Sequence, residues 1–134
     1  MRTALVTGGS RGIGLSIVKE LGLHGYRVAL MATRPEEEYP ESTEILRKAG
    51  VDYFWFSGDI SNSEDRKRVV LQALEALGTF DVLVNNAGVA PKVRADLLTM
   101  TEESFDYVIG TNTKANMFMT QAVALQMMKQ PLHG

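Results

Sequence analysis

The segment Thr7-Gly8-Gly9-Ser10-Arg11-Gly12-Ile13-Gly14 decides the fold of this chain. It follows a short β-rich run at residues 3–6, and apolar residues then recur at helical spacing up to residue 24. A glycine loop between a strand and a helix suits a phosphate group, because the free N–H groups of the first helical turn and the helix dipole both favour an anion. Gly8 permits the sharp turn, Gly12 lets a diphosphate approach the backbone, and Gly14 lets the helix pack closely on the sheet. The sequence therefore predicts a nucleotide site at this turn.

Strands and helices alternate along the rest of the chain. Further strands are predicted at 27–32, 53–56 and 81–85; further helices are predicted at 40–49, from a Ser61/Glu64 capping box to 77, and in one or two pieces over 101–130. This order predicts an α/β fold with a Rossmann-like, doubly wound parallel sheet. The unbroken apolar run at 82–84 is typical of a strand buried on both faces. Residues 1–134 form one domain or a portion of one.

The composition excludes several classes of protein. Fourteen Lys and Arg against sixteen Asp and Glu give a net charge of −2, which leaves no electrostatic footprint for nucleic acid. The absence of cysteine excludes a disulfide framework, a thiolate metal site and a cysteine nucleophile, and we expect no metal. The apolar run behind Arg2 is too short for a signal peptide, and no run approaches the roughly 20 residues of a membrane helix. We expect a cytoplasmic protein with no membrane partner.

Four motifs, in order, resemble those of the short-chain dehydrogenase/reductase family. The glycine loop matches the family signature Thr-Gly-x-x-x-Gly-x-Gly, and residues 85–88, Asn-Asn-Ala-Gly, match the segment that supports the central sheet beside the cofactor. Asp59 and Ile60 match the adenine-contacting pair, and Asn112 matches the catalytic asparagine. Over residues 83–121 the sequence is similar to 3-oxoacyl-(acyl-carrier-protein) reductases. The resemblance implies oxidoreduction of a small carbonyl or alcohol substrate with a nicotinamide cofactor.

The resemblance also implies a set of site residues. Asn112 would be catalytic and would hold a water relay. The residues that would bind the cofactor lie in the glycine loop and after the second, third and fourth strands: Gly8, Ser10, Arg11, Gly12, Ile13, Gly14, Thr33, Arg34, Asp59, Ile60, Asn86, Ala87 and Gly88. The long helix that contains Asn112 would join copies into a homodimer or homotetramer.

The end of the second strand indicates which dinucleotide is bound. Members specific for NAD carry an acid there for the ribose hydroxyls, whereas this chain has Ala32 followed by Thr33 and Arg34. Arg34 and Arg11 could pair with a 2′-phosphate, so we predict NADP, with NAD as the alternative. The acidic run at 36–38 lies close by and argues against NADP.

The acid/base machinery of the family is missing from this sequence. It requires Ser and Tyr-x-x-x-Lys, and no tyrosine here has a lysine four residues later. We therefore expect the N-terminal portion of a longer domain, inactive by itself. Two other functions stay open: a non-catalytic dinucleotide sensor, and another nucleotide-dependent enzyme such as a methyltransferase. The lack of an acid near Ala32 argues against the methyltransferase.

Overall fold

The computed structural model describes residues 1–88 and 98–131. Its strands and helices follow the predicted order, with ends that differ from the predicted ones by at most three residues. In chain order they are β1 (Thr3–Thr7), α1 (Gly12–Leu23), β2 (Arg27–Ala32), α2 (Pro40–Lys48), β3 (Tyr53–Ser57), α3 (Ser63–Leu77), β4 (Val82–Val84), α4 (Glu102–Ile109) and α5 (Asn116–Met127). A short 3-10 turn, Glu36–Glu38, precedes α2.

The four strands form one parallel sheet in the order β3-β2-β1-β4. Successive side chains of a strand point to opposite faces of the sheet. Leu5 and Met31 therefore pack with residues of α3 and α5, whereas Val6 and Leu30 pack with residues of α1 and α2. Helices cover both faces, which confirms the doubly wound Rossmann-like sheet.

Strand β4 departs from its predicted burial. Residues Val82–Val84 are half-buried rather than buried on both faces, because β4 pairs with β1 on one side and forms an edge of the sheet that the structure describes. Val84 lies opposite Val6 in the parallel register. The chain leaving β4 therefore runs beside Thr7 and the glycine loop, as expected for neighbouring parallel strands that end at the same edge of the sheet.

Helix α3 has a different cap from the predicted one. The side chain of Asn62 accepts a hydrogen bond from the Asp65 N–H at 3.0 Å, so the predicted Ser61/Glu64 capping box is wrong. Ser61 donates its N–H and its hydroxyl to Asp59 Oδ1 instead, at 2.9 and 2.7 Å. A short polar side chain two residues upstream competes effectively for such donors.

The long helical segment is interrupted at its centre. Helices α4 and α5 are joined by a π-helical turn, Gly110–Ala115, and Asn112 lies within it. A π turn inserts an extra residue into the helix and shifts which side chains face the sheet. Among the helices of the described residues, none has the length and apolar character needed to span a bilayer.

Candidate functional site

The glycine loop turns sharply away from β1. Gly8 and Gly9 donate their N–H groups to the Met31 carbonyl oxygen of β2 at 2.8 and 3.3 Å, which fixes the start of the turn. Gly8 and Gly12 adopt φ of +67° and +56°, a left-handed conformation that other residues rarely tolerate. Within the part of the chain that the structure describes, no group accepts a hydrogen bond from the N–H groups of residues 10–14. These donors are available to an anion.

Gly14 is required by close packing. A Cβ there would lie 1.9 Å from the Gly8 carbonyl oxygen and 2.5 Å from Asn86 Nδ2. The helix therefore packs against its own loop and against Asn86 rather than only on the sheet. Asn86 Nδ2 also donates to the Gly8 oxygen at 3.1 Å, which holds the turn against the chain leaving β4.

Thr7 joins the ends of β1 and β4. Its buried hydroxyl accepts from the N–H groups of Asn86 and Ala87, each at 3.1 Å, and donates to the Val84 carbonyl oxygen at 3.4 Å. A hydroxyl offers one donor and two acceptor positions, so all of its hydrogen-bonding capacity is used. The threonine of the signature thus sets the distance between the glycine loop and residues 86–88.

A cavity of about 390 Å³ opens where these segments meet. This volume lies in the range of small-molecule and cofactor sites. The predicted residues that line it are Gly8, Ser10, Arg11, Gly12, Thr33, Asp59, Ile60, Asn86, Ala87 and Gly88. Four predicted residues do not line it: Ile13, Gly14, Arg34 and Asn112.

Six residues of the cavity wall are outside the predicted set: Met31, Ala32 and Gly58 at the ends of strands β2 and β3, and three with polar side chains, Tyr39, Tyr107 and Thr111. Tyr39 comes from the residue before α2, and Tyr107 and Thr111 come from the helical segment that contains Asn112. Thr111 directly precedes Asn112 in the sequence and Tyr107 lies four residues before Thr111, and this closeness to Asn112 is the signal that could have indicated them.

Asn112 lies beside the cavity rather than in its wall. A Cβ on Gly88 would be 3.0 Å from Asn112 Oδ1, so the absence of a side chain at position 88 lets the asparagine approach. The Asn112 carbonyl oxygen accepts from Asn116 Nδ2 at 3.0 Å, and the same amide reaches the Ala87 carbonyl oxygen at 3.4 Å. Asn116 therefore connects the π turn to the segment that follows β4.

Two glutamates of the acidic run after β2 have partners outside the cavity wall. Glu36 accepts hydrogen bonds from Thr43 Oγ1, at 3.0 Å, and from the Tyr53 hydroxyl. Glu38 pairs with Arg34 at 3.6 Å, with both side chains largely exposed. None of the three glutamates lines the cavity, in which Arg11 is the one basic residue among the described wall residues.

Two ionisable side chains near the cavity have shifted pKa values. Burial, followed by the hydrogen bond to Glu36 and the negative charge of that residue, raises the pKa of Tyr53 above its usual 10.0. The Asp59 N–H, which donates to Asp65 Oδ2 at 2.8 Å, is the main reason that the pKa of Asp65 lies below its usual 3.8, and Arg68 adds to the effect. Both shifts belong to groups that hold loops of the cavity in place.

The fold and the cavity can be compared with those of known protein families. The sequence model of the short chain dehydrogenase family matches residues 2–132. The chain therefore belongs to the short chain dehydrogenase family, as its motifs predicted.

Individual relatives agree with this assignment. The chain is 37% identical over 130 residues to a 3-oxoacyl-(acyl-carrier-protein) reductase of Staphylococcus aureus, covering 96% of this chain and 52% of that protein. The solved structure of a 3-oxoacyl-(acyl-carrier-protein) reductase from Brucella melitensis in complex with NAD superposes with a TM-score of 0.89 at 33% identity, covering 98% of this chain and 51% of that one. An actinorhodin polyketide ketoreductase variant with NADPH gives 0.83 at 34% identity, covering 91% and 46%. The chain thus spans about half the length of the relatives it matches.

Proposed function

We propose that the protein is an NADP(H)-dependent oxidoreductase of the short-chain dehydrogenase/reductase type, which reduces a ketone or oxidises an alcohol. One observation carries the proposal: a loop with five consecutive N–H groups that no described residue occupies lines a cavity of cofactor size. The same cavity is bordered by residues 86–88 and by the helical segment that contains Asn112. The residues present fit a dinucleotide.

The cofactor would lie along the ends of the strands. The N–H groups of residues 10–14 would bind the diphosphate. Outside its own stretch of backbone, no described residue lies within 4 Å of the place where a Gly12 Cβ would be, so a phosphate can approach there. Asp59 and Ile60 would contact the adenine. Asn86, Ala87 and Gly88 would lie along the remaining wall.

NADP is the preferred cofactor in this proposal, with NAD as the alternative. Arg11 and Thr33 line the cavity, whereas no acid from residues 33–39 does, so a 2′-phosphate would meet a cation and no opposing carboxylate from that loop. Arg34 would have to leave Glu38 to contribute. Of the two related structures, one contains NAD and the other contains NADPH. Similarity to relatives alone therefore does not indicate which cofactor this protein binds.

When bound, the cofactor supplies the hydride of the reaction. Asn112 is the catalytic residue proposed within this chain, and it would hold a proton relay beside the cavity. It lies in a π turn that the Asn116 side chain connects to the Ala87 carbonyl oxygen. The similarity to the Staphylococcus aureus protein supports a 3-oxoacyl thioester as one substrate to test. Membership of the dehydrogenase family does not favour the methyltransferase alternative.

The partner proposed is a second copy of the protein. Exposed apolar side chains recur along the α4–α5 segment: Phe105, Ile109, Met117, Leu125 and Met128. Such a stripe supports a homodimer or homotetramer formed through this segment. We place the protein in the cytoplasm, where a nicotinamide-dependent reductase of this kind would meet its cofactor.

The test is cofactor binding followed by turnover, with the full natural protein. NADPH and NADH are titrated separately, and NADPH oxidation is then followed with a simple ketone and with a 3-oxoacyl thioester. We expect binding of NADPH in preference to NADH, and reduction of at least one carbonyl. Binding without turnover would favour the sensor, and binding of neither nucleotide would overturn the proposal.

A further inference from the structure

Two aromatic residues of strand β3, Tyr53 and Trp55, hold the loop between β2 and α2 against that strand. Trp55 donates its indole N–H to the Arg34 carbonyl oxygen at 3.0 Å and packs against Tyr39, with ring centroids 5.3 Å apart and ring planes tilted by 36°. Tyr53, two residues earlier on β3 and so on the same face of the sheet, donates its hydroxyl to Glu36. The aromatic side chains of β3 therefore do more than pack: they set the course of residues 34–39.

The hydrogen bonds of Glu36 fix where its negative charge lies. Thr43, on the first half of α2, donates to the same carboxylate oxygen as Tyr53 does. Two hydroxyl donors stabilise an ionised carboxylate in a half-buried position. Thr33 and Tyr39, which flank this part of the loop, both line the cavity, while Glu36 does not. A glutamate close in sequence to the cavity wall is thus held on the far side of its own loop.

Glu36 is only three residues from Thr33, which lines the cavity. A Glu36 carboxylate released from these hydroxyls would therefore be free to turn toward the cavity wall. An acid in this region accepts hydrogen bonds from unmodified ribose hydroxyls and repels a 2′-phosphate. The position of the Glu36 carboxylate therefore affects the balance between the two forms of the cofactor.

We propose that Tyr53 and Thr43 are specificity-determining residues, which favour a 2′-phosphorylated dinucleotide by holding the Glu36 carboxylate away from the cavity. This inference rests on the proposed function, because it concerns the same cofactor site. It differs from direct recognition of the phosphate, since neither hydroxyl lines the cavity.

The experiment compares dissociation constants for NADPH and NADH in the full protein and its variants. Tyr53→Phe removes one donor and keeps the ring, and we expect the affinity ratio of NADPH to NADH to fall about tenfold. Thr43→Val should lower the ratio in the same direction by a smaller factor. Adding Glu36→Gln to Tyr53→Phe should restore the ratio, because the charge has been removed. Tyr26→Phe, a hydroxyl deletion at a half-buried tyrosine outside the cavity, is the matched control.

The outcomes separate this inference from the proposed function. An unchanged ratio in both Tyr53→Phe and Thr43→Val, with the wild-type protein binding NADPH, would overturn only the inference. A ratio that stays low in the Tyr53→Phe/Glu36→Gln double variant would also overturn it, since the tyrosine would then act through packing. A wild-type protein that binds neither nucleotide would overturn both. Circular dichroism of each variant checks folding, and Thr43→Val carries the test if Tyr53→Phe does not fold.

Discussion

The side-chain amide of Asn116 donates to the carbonyl oxygen of Asn112 at 3.0 Å, one turn earlier in the same helical segment. The amide nitrogen also reaches the Ala87 carbonyl oxygen at 3.4 Å. Both neighbours are acceptors, so the NH₂ group must face them and the orientation of the amide is fixed. This single side chain bridges the two segments that meet beside the cavity.

Replacing Asn116 should therefore destabilise the protein. Asn116→Leu leaves two carbonyl oxygens without this donor, and we expect the free energy of unfolding to fall by about 1 to 3 kcal/mol. Urea unfolding measures the change. Thr120→Val is the control: it removes two exposed hydrogen bonds one turn further along, one accepted from Asn85 and one donated to the Asn116 carbonyl oxygen, and should cost less. An equal loss of unfolding free energy in the two variants would mean that the hydrogen bonds of Asn116 stabilise the protein no more than those of an exposed side chain do.

Two of the four described glycines that combine open space with a positive φ, Gly12 and Gly50, give a second test. Gly12→Ala and Gly50→Ala introduce similar backbone strain, because φ is +56° and +70° and neither new Cβ would meet a residue from elsewhere in the described parts of the chain within 4 Å. We expect each to cost about 1 to 2 kcal/mol of stability. Only Gly12→Ala should also weaken NADPH binding, by about tenfold or more, because its methyl group would occupy the path of the diphosphate. Retained affinity in Gly12→Ala would place the phosphates elsewhere.

Arg11 is expected to read the 2′-phosphate. Arg11→Ala should raise the dissociation constant for NADPH about tenfold and leave that for NADH within about twofold, since only NADPH carries the additional charge. Lys48→Ala, which removes an exposed charge on α2, controls for the change in net charge. Equal weakening of both nucleotides would assign Arg11 to the diphosphate instead.

The loop at Asp59 should loosen in acid. The folded-state pKa of Asp65 is lowered, first by the Asp59 N–H and then by Arg68, so its contribution to stability is present above pH 3.8 and is lost as the pH falls through the folded pKa. Asp65→Asn should therefore show a shallower loss of stability in acid than the wild type when unfolding midpoints are compared. Glu64→Gln, which neutralises a neighbouring acid in the same turn, should behave as the wild type does.

Much of the fold could be predicted because local chemistry and global fold agree. The glycine loop joins a strand to a helix, and the glycines at 8 and 14 occupy positions that no larger residue could take without strain or collision. The unbroken apolar runs of β1 and β2 present apolar side chains to both faces of the sheet, and helices cover both faces. Periodicity and turn chemistry are short-range properties, so the sequence records them directly.

The remainder depends on contacts between residues distant in sequence. The π turn carries no signal in the motifs, and the cap of α3 was assigned to Ser61 because the competing bonds to Asp59 are visible only in three dimensions. The predicted pairing of Arg34 with a phosphate did not anticipate its contact with Glu38, which forms when residues 36–38 adopt a 3-10 turn. The sequence therefore predicted which segments form the site more reliably than it predicted where the charged side chains of the site point.

The ring contact between Trp55 and Tyr39 gives the protein a built-in optical reporter. Trp55 is the single tryptophan of this chain, and its ring contacts a tyrosine that borders the cavity. A ligand that displaces or covers Tyr39 will alter the surroundings of the Trp55 indole. A reduced nicotinamide ring absorbs light in the wavelength range where indoles emit. Quenching of this intrinsic emission can therefore follow occupancy in real time, with no attached dye.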